Sequence, residues 1–195
     1  EPHSDIAFVD MKSFYASCEC IALGLDPLKT SLCVMSRVEN SAGLILAATP
    51  LFKKNFGSQN VSRSYNLPFD VHTRKFNYAT ARKQGLPITA DYVRFIEDVA
   101  QKTLLVPPRM NYYIQKNMEI QKIFQDFAAP DDIFPYSIDE GFLDLTSSIN
   151  YFIPDQTLDR RTKLDLLAAR IQQAIWKKTG IYASIGLSNS NPLLA

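Results

Sequence analysis

Residues Tyr136 to Leu145 read YSIDEGFLDL, and this stretch constrains the fold more than any other. Short apolar runs, IFPYSI before and FLDLT after, flank two adjacent carboxylates, Asp139 and Glu140. Runs of that length and composition read as β-strands, so the pair sits at the turn of a hairpin. A hairpin places its strands in an antiparallel sheet. Acidic residues are common in turns, where Asp tolerates unusual backbone angles and stays solvated. Two adjacent carboxylates also suit a divalent cation, because Mg²⁺ prefers hard oxygen ligands. The second reading needs a third carboxylate from elsewhere in the chain.

The rest of the pattern supplies a sheet for the hairpin to join. Asp5 to Met11, DIAFVDM, is a short apolar run that reads as a buried strand carrying Asp10 near its end. A helix follows, with Phe14, Cys18 and Ile21 at helical spacing and Gly24 as its stop. TSLCVMS and GLILAAT read as two strands, and PLFKKNFG as a short helix opened by Pro50 and closed by Gly57. From Ser58 to about Pro108 the pattern weakens to loops with one or two short helices. Met110, Tyr113, Ile114, Ile120, Ile123, Phe124 and Phe127 then predict one apolar helix face. Thr157 to Lys178 predicts a second long helix, ended by Gly180. IYASIGLS predicts another strand, and NPLLA the opening of a further helix. Strand, helix, inserted module, helix, hairpin, helix, strand is an α+β order. It predicts a ferredoxin-like antiparallel sheet with helices on one face, interrupted by a small inserted domain.

Charge is informative only by its distribution. Between Leu51 and Gln84 stand Lys53, Lys54, Arg63, Arg74, Lys75, Arg82 and Lys83, against the single acid Asp70. The remainder carries 14 basic and 19 acidic residues. A basic segment on an acidic body is the pattern of phosphate contact, and equally of a solvated surface. Three cysteines, Cys18, Cys20 and Cys33, are too few and too oddly placed for a disulfide framework, and they lack the partners of a zinc site. With no apolar run of membrane-spanning length, the composition points to a cytoplasmic protein.

Asp10 is the candidate third carboxylate. In a ferredoxin-like sheet its strand can neighbour the hairpin. Clustered carboxylates raise one another's pKa and repel, and a divalent cation removes that cost. FVDMKSFYASCE followed far downstream by YSIDEGFLDLT resembles the paired signature of the Y-family translesion DNA polymerases. The bacterial UmuC-like or ImpB/MucB/SamB-type branch of SOS repair is the closer match. LAATPLFKKNFG, the helix before the hairpin, and TGIYASIGLSNSNPLLA share the resemblance, which covers most of the chain outside roughly 59–107.

The resemblance implies template-directed DNA synthesis past lesions, by two-metal nucleotidyl transfer, in DNA repair. It implies a palm over residues 1–13 and 106–195 and a fingers domain over 14–105, with the thumb and little-finger domains absent from this chain. Asp10, Asp139 and Glu140 match the family's metal-binding acids, and the Met11 carbonyl a further ligand. Two Mg²⁺ ions, or Mn²⁺ in substitution, are the implied cofactors. Tyr15 matches the steric gate that rejects ribonucleotides, with Phe14 beside it. Backbone N–H groups from Lys12 and Ser13 through Tyr15 match a triphosphate cradle, and Thr49 and Lys54 also fall at nucleotide-binding positions. Primer-template DNA and deoxynucleoside triphosphates are the implied substrates, with a sliding clamp and a recombinase filament as implied partners.

Two positions depart from the family pattern. Leu51 stands where a Tyr often grips the triphosphate, and Pro192 follows Asn191 where a Lys is usual. Asp144, Glu19, His3 and His72 read as structural or ordinary residues. Two other functions fit parts of the pattern: a palm-type nucleotide cyclase, which leaves Phe14 and Tyr15 unexplained, and a non-catalytic DNA-binding or docking module.

Overall fold

The strand Ile6–Met11 (β1) is paired on both edges, and the first sheet is built around it. The computed structural model describes residues 4–39, 42–57 and 62–188. The chain divides into two units, Glu1–Lys12 with Asn111–Ala195, and Ser13–Met110.

In the first unit, β5 (Ile133–Pro135), β6 (Glu140–Asp144), β1 and β7 (Ala183–Ser188) lie in the order β5-β6-β1-β7, every neighbour antiparallel. This is the ferredoxin-like order expected from the sequence. Ala7, Val9 and Met11 of β1 and Leu143 of β6 are buried and share one face by alternation. Helices α5 (Met110–Gln125) and α7 (Arg160–Thr179) contribute the matching apolar stripes, Tyr113, Ile120, Ile123 and Phe124 from one and Leu164, Leu167, Ile171 and Ile175 from the other. The opposite face carries Phe8 and Phe142 in register, and Phe142 stacks on Phe134 with centroids 4.9 Å apart.

Capping explains the ends of α7. The Asp159 side chain accepts from the Thr162 N–H at 2.7 Å, and Gly180 closes the helix in the left-handed region with φ 75°. The expected start at Thr157 is therefore too early. Asp155 accepts from the Thr157 N–H at 2.8 Å in a turn of its own, which holds that stretch out of the helix. A one-turn helix, α6 (Ile149–Phe152), precedes it and was not expected.

At the end of the sheet remote from Asp10, Asp5 is buried and ion-paired to Arg160, the first residue of α7. Its N–H donates to Thr146 Oγ1 at 2.8 Å and its carbonyl accepts from Leu145 N–H at 2.7 Å. The predicted apolar face of α5 needs one correction. Met110 and Ile114 are 45% and 47% exposed, because they lie about a third of a turn from the buried stripe.

The second unit has its own three-stranded sheet, ordered β3 (Ile45–Ala48), β2 (Leu32–Met35), β4 (Leu104–Val106), with β4 parallel to β2. Helix α1 (Phe14–Ala22) covers one side through Ala16 and Cys20, against Leu32 and Val34. On the other side Cys33, Met35 and Ala48 join Phe52 of α2 (Pro50–Phe56), Ala81 of α3 (Tyr78–Gln84), and Ile96 and Ala100 of α4 (Ala90–Gln101). Among its described residues, the weak pattern from Ser58 to Pro108 thus contains the helices α3 and α4, a single 3-10 turn at Ser64–Asn66 and the strand β4. Strand β4 escaped notice because it has three residues and pairs with a strand about 70 positions away. The expected helix at NPLLA, with Asn191 and Pro192, lies outside the described residues, as does His3. No helix among the described residues is long and apolar enough to cross a membrane.

All three cysteines are buried and unpaired by disulfide. Burial pushes the Cys33 thiol from about 9 up to about 12. A thiol that holds its proton more tightly in the folded state contributes fully below the unfolded pKa and loses that contribution as pH rises through the folded value. The urea midpoint should therefore be insensitive to Cys33 below pH 9 and fall between pH 9 and 12. Iodoacetamide should label Cys33 in urea and spare it in the native protein at pH 8; equal labelling rates would contradict the buried placement.

Candidate metal and nucleotide site

Antiparallel register does most of the work of assembling the acids. Asp10 of β1 lies directly opposite Glu140, the first residue of β6. Cross-strand partners share a face with Cβ atoms about 5 Å apart. Both belong to the face away from the buried Val9 and Leu143, and both are half-exposed. Asp139 precedes Glu140 in the turn, and its carbonyl accepts from the Met11 N–H at 2.9 Å, which ties the turn to the end of β1. The Ser137 hydroxyl donates to Asp139 Oδ1 at 2.9 Å and lies 3.4 Å from Glu140 Oε2. Gly141 lets β5 close onto β6 beside the acids, since a Cβ there would stand 3.2 Å from the Phe134 carbonyl oxygen.

The backbone brings Asp10, Asp139 and Glu140 to one end of one sheet. Their side chains are not drawn onto a common point: among the described residues no three His, Cys, Asp or Glu side chains are gathered tightly enough to hold an ion. Like charges in a turn hold one another apart. The donor set is all carboxylate oxygen on an accessible face, which fits Mg²⁺ or Mn²⁺ and does not fit zinc. Asp144, four residues along β6, accepts from the N–H and hydroxyl of Thr146 at 3.0 and 2.6 Å and serves the strand end.

The other expected site residues behave differently from one another. Lys12 donates its N–H to the Tyr182 carbonyl at 3.0 Å, so this group belongs to the sheet and not to a triphosphate cradle. Ser13 is the N-cap of α1 in the left-handed region, φ 47°, and the helix N–H groups begin at Phe14. Phe14 is buried, and Tyr15 is half-buried over the small cluster of Ala16, Cys20, Leu32 and Val34. Glu19 is held by Arg109 in a two-point pair, both bonds 2.9 Å, which accounts for it structurally.

Thr49 is fully buried, and its Oγ1 accepts from the N–H groups of Leu32 at 3.0 Å and Phe52 at 3.4 Å. The hydroxyl joins β2 to the cap of α2. Lys54 is exposed in the last turn of that helix, and Leu51 is half-exposed.

The basic segment is also smaller than its residue count. Arg74 Nη1 donates to the carbonyls of Ala100 and Thr103 at 2.8 and 2.7 Å, closing the C-terminus of α4, and burial lowers its pKa. Arg63 donates to the Ala42 carbonyl at 3.2 Å. Lys53, Lys54, Lys75, Arg82 and Lys83 are exposed.

A family model described as the impB/mucB/samB family matches residues 74–195. DNA repair protein homolog YozK of Bacillus subtilis (strain 168) is 31% identical over 138 residues, 71% of this chain and 94% of that protein. DNA polymerase IV 2 of Halalkalibacterium halodurans is 30% identical over 188 residues, which are 96% of this chain and 36% of the relative. The chain thus spans about a third of that polymerase's length. The insertion ternary complex of Dbh DNA polymerase superposes with a TM-score of 0.62 at 23% identity, covering 98% of this chain and 44% of the other.

The buried hydroxyl of Thr49 yields a prediction. Thr49→Val should lower the urea unfolding free energy by about 1–2 kcal/mol, from the lost cap and an unpaired buried N–H. Nucleotide affinity should follow only to the extent that the fold does. Weakened nucleotide binding at unchanged stability would restore Thr49 to the site.

Proposed function

The chain belongs to the impB/mucB/samB family, and on that premise we propose that it is the palm and fingers part of a lesion-bypass DNA polymerase acting in DNA repair. The observation that carries this reading is the register Asp10↔Glu140 together with the bond from Met11 N–H to the Asp139 carbonyl. Those two contacts bring Asp10, Asp139 and Glu140 to one end of a ferredoxin-like sheet. We assign the first unit as palm and the second as fingers.

Asp10, Asp139 and Glu140 hold two Mg²⁺ ions in this proposal, with the Met11 carbonyl as a further ligand. When bound, the ions lower the pKa of a primer 3′-hydroxyl and offset the charge of the triphosphate. The carboxylates orient that hydroxyl towards the α-phosphate and need no covalent intermediate on the protein. Phe14 is buried and anchors the start of α1, and Tyr15 beside it acts as the gate against a 2′-hydroxyl. Lys54 contributes a cation to the triphosphate from the last turn of α2. The exposed Lys53, Lys75, Arg82 and Lys83 add a salt-sensitive, sequence-independent attraction to phosphate. SOS induction, a cytoplasmic location, and docking to a sliding clamp or recombinase filament belong to the same proposal.

Calorimetric titration of Mn²⁺ with a deoxynucleoside triphosphate tests the site on this chain and on Asp139→Ala. The expected result is metal-dependent binding in the parent and its loss in the variant. Equal binding in both would refute the carboxylate site, and no binding in either would refute a working site in this chain. Production of cyclic nucleotide without template would identify a cyclase instead.

A further inference from the structure

We infer that Asn117 is a positioning residue for the carboxylate pair, holding the tip of the β5–β6 turn from the side of α5. The inference rests on the metal-site reading above and adds a residue to it. Two backbone attachments secure the turn. The N–H groups of Tyr136 and Ser137 both donate to the Glu140 carbonyl, at 3.0 and 2.9 Å, and close the turn on itself. Met11 N–H takes the Asp139 carbonyl at 2.9 Å. Neither touches the peptide between Ile138 and Asp139. That peptide is held by a side chain: Asn117 Nδ2 donates to the Ile138 carbonyl at 2.5 Å.

The consequence follows from peptide geometry. The Ile138 carbonyl and the Asp139 nitrogen lie in one rigid plane. Fixing the carbonyl fixes the plane, and with it the direction in which Asp139 leaves the backbone. Without that bond the plane can rotate, and repulsion between Asp139 and Glu140 favours rotations that separate the charges. The two carboxylates need a direction set before a cation arrives, because ordering them on binding would cost affinity.

The place of Asn117 supports a dedicated role. It lies half-buried within α5, four residues after the buried Tyr113 and three before the buried Ile120. On that face an aliphatic residue would satisfy the helix better, since Asn has low helix propensity and competes for backbone hydrogen bonds. The packing that buries Tyr113 and Ile120 also aims the amide at the turn. The sequence signal is a polar residue within an apolar helix face, and it becomes meaningful only once the turn is seen beside it.

The test compares the parent chain with Asn117→Ala and with the isosteric Asn117→Asp. It measures Mn²⁺ affinity by calorimetry, amide exchange at residues 137–140, and the thermal midpoint. Loss of a partner that orients metal ligands weakens metal binding by about tenfold or more, so Asn117→Ala should bind Mn²⁺ about tenfold more weakly while its circular dichroism remains that of the parent. Exchange at residues 137–140 should quicken by a similar factor. Wild-type Mn²⁺ affinity in a folded Asn117→Ala would overturn the inference. If that variant does not fold, Asn117→Asp decides. Its added negative charge favours a cation, so weaker binding would isolate the lost donor, and unchanged or tighter binding would overturn the role. A parent chain that binds no Mn²⁺ would refute the metal site itself. In that case faster exchange at 137–140 would still support the anchor, and unchanged exchange would refute it.

Discussion

The central position of β1 is the constraint on which the first unit depends. With β6 on one edge and β7 on the other, residues 6–10 of β1 have their faces assigned by two partners at once. Ala7, Val9 and Met11 point into the core, so Asp10 must point away from it. A slip of one residue would bury Asp10 and expose Val9, and an unpaired buried carboxylate is far too costly to tolerate. The alternation that builds the core therefore also aims the acid. The register is locked at both ends, by the Asp5, Thr146 and Leu145 bonds at one and by Met11 to Asp139 at the other. The candidate site is a by-product of correct pairing in a sheet that folding already requires.

The second unit shows how readily polar residues are diverted to architecture. Thr49 joins a strand to a helix cap, Glu19 holds Arg109, and Arg74 closes α4. Asp70 follows the same logic. Its Oδ1 accepts from the N–H groups of His72 and Thr73 at 2.8 and 2.9 Å, and these bonds hold its pKa below the usual carboxylate range. Glu97 takes the Phe76 N–H at 2.9 Å. Of these, the sequence pattern points only Thr49 and Arg74 towards ligand contact, the one as a nucleotide-binding position and the other as part of the basic segment. Buried backbone groups need partners, and in a small unit with short helices the side chains nearest to them supply those partners.

What could be read without coordinates follows from how local each signal is. The hairpin, α7 with its glycine cap and the ferredoxin-like order all rest on periodicity and turn chemistry within a few residues. The start of α7 was misplaced because the turn of Asp155 on Thr157 competes with the helix for the same backbone. Strand β4 and the cap contributed by Arg74 were invisible because their partners lie far away in the chain. Met110 and Ile114 were assigned inward because an apolar residue at helical spacing does not itself reveal which side the helix buries.

The sequence by itself determined every strand but β4, the helices α5 and α7 and the candidate acids Asp10, Asp139 and Glu140, since strand period and turn preference are properties of neighbouring residues. Only the tertiary structure decided that Asp10 faces Glu140, that the Thr49 hydroxyl and the Lys12 N–H are committed to the fold, and that Asn117 reaches the turn beside Asp139. The physical reason is that these are contacts between segments distant in the chain. Register and helix rotation, not local composition, set which polar groups meet.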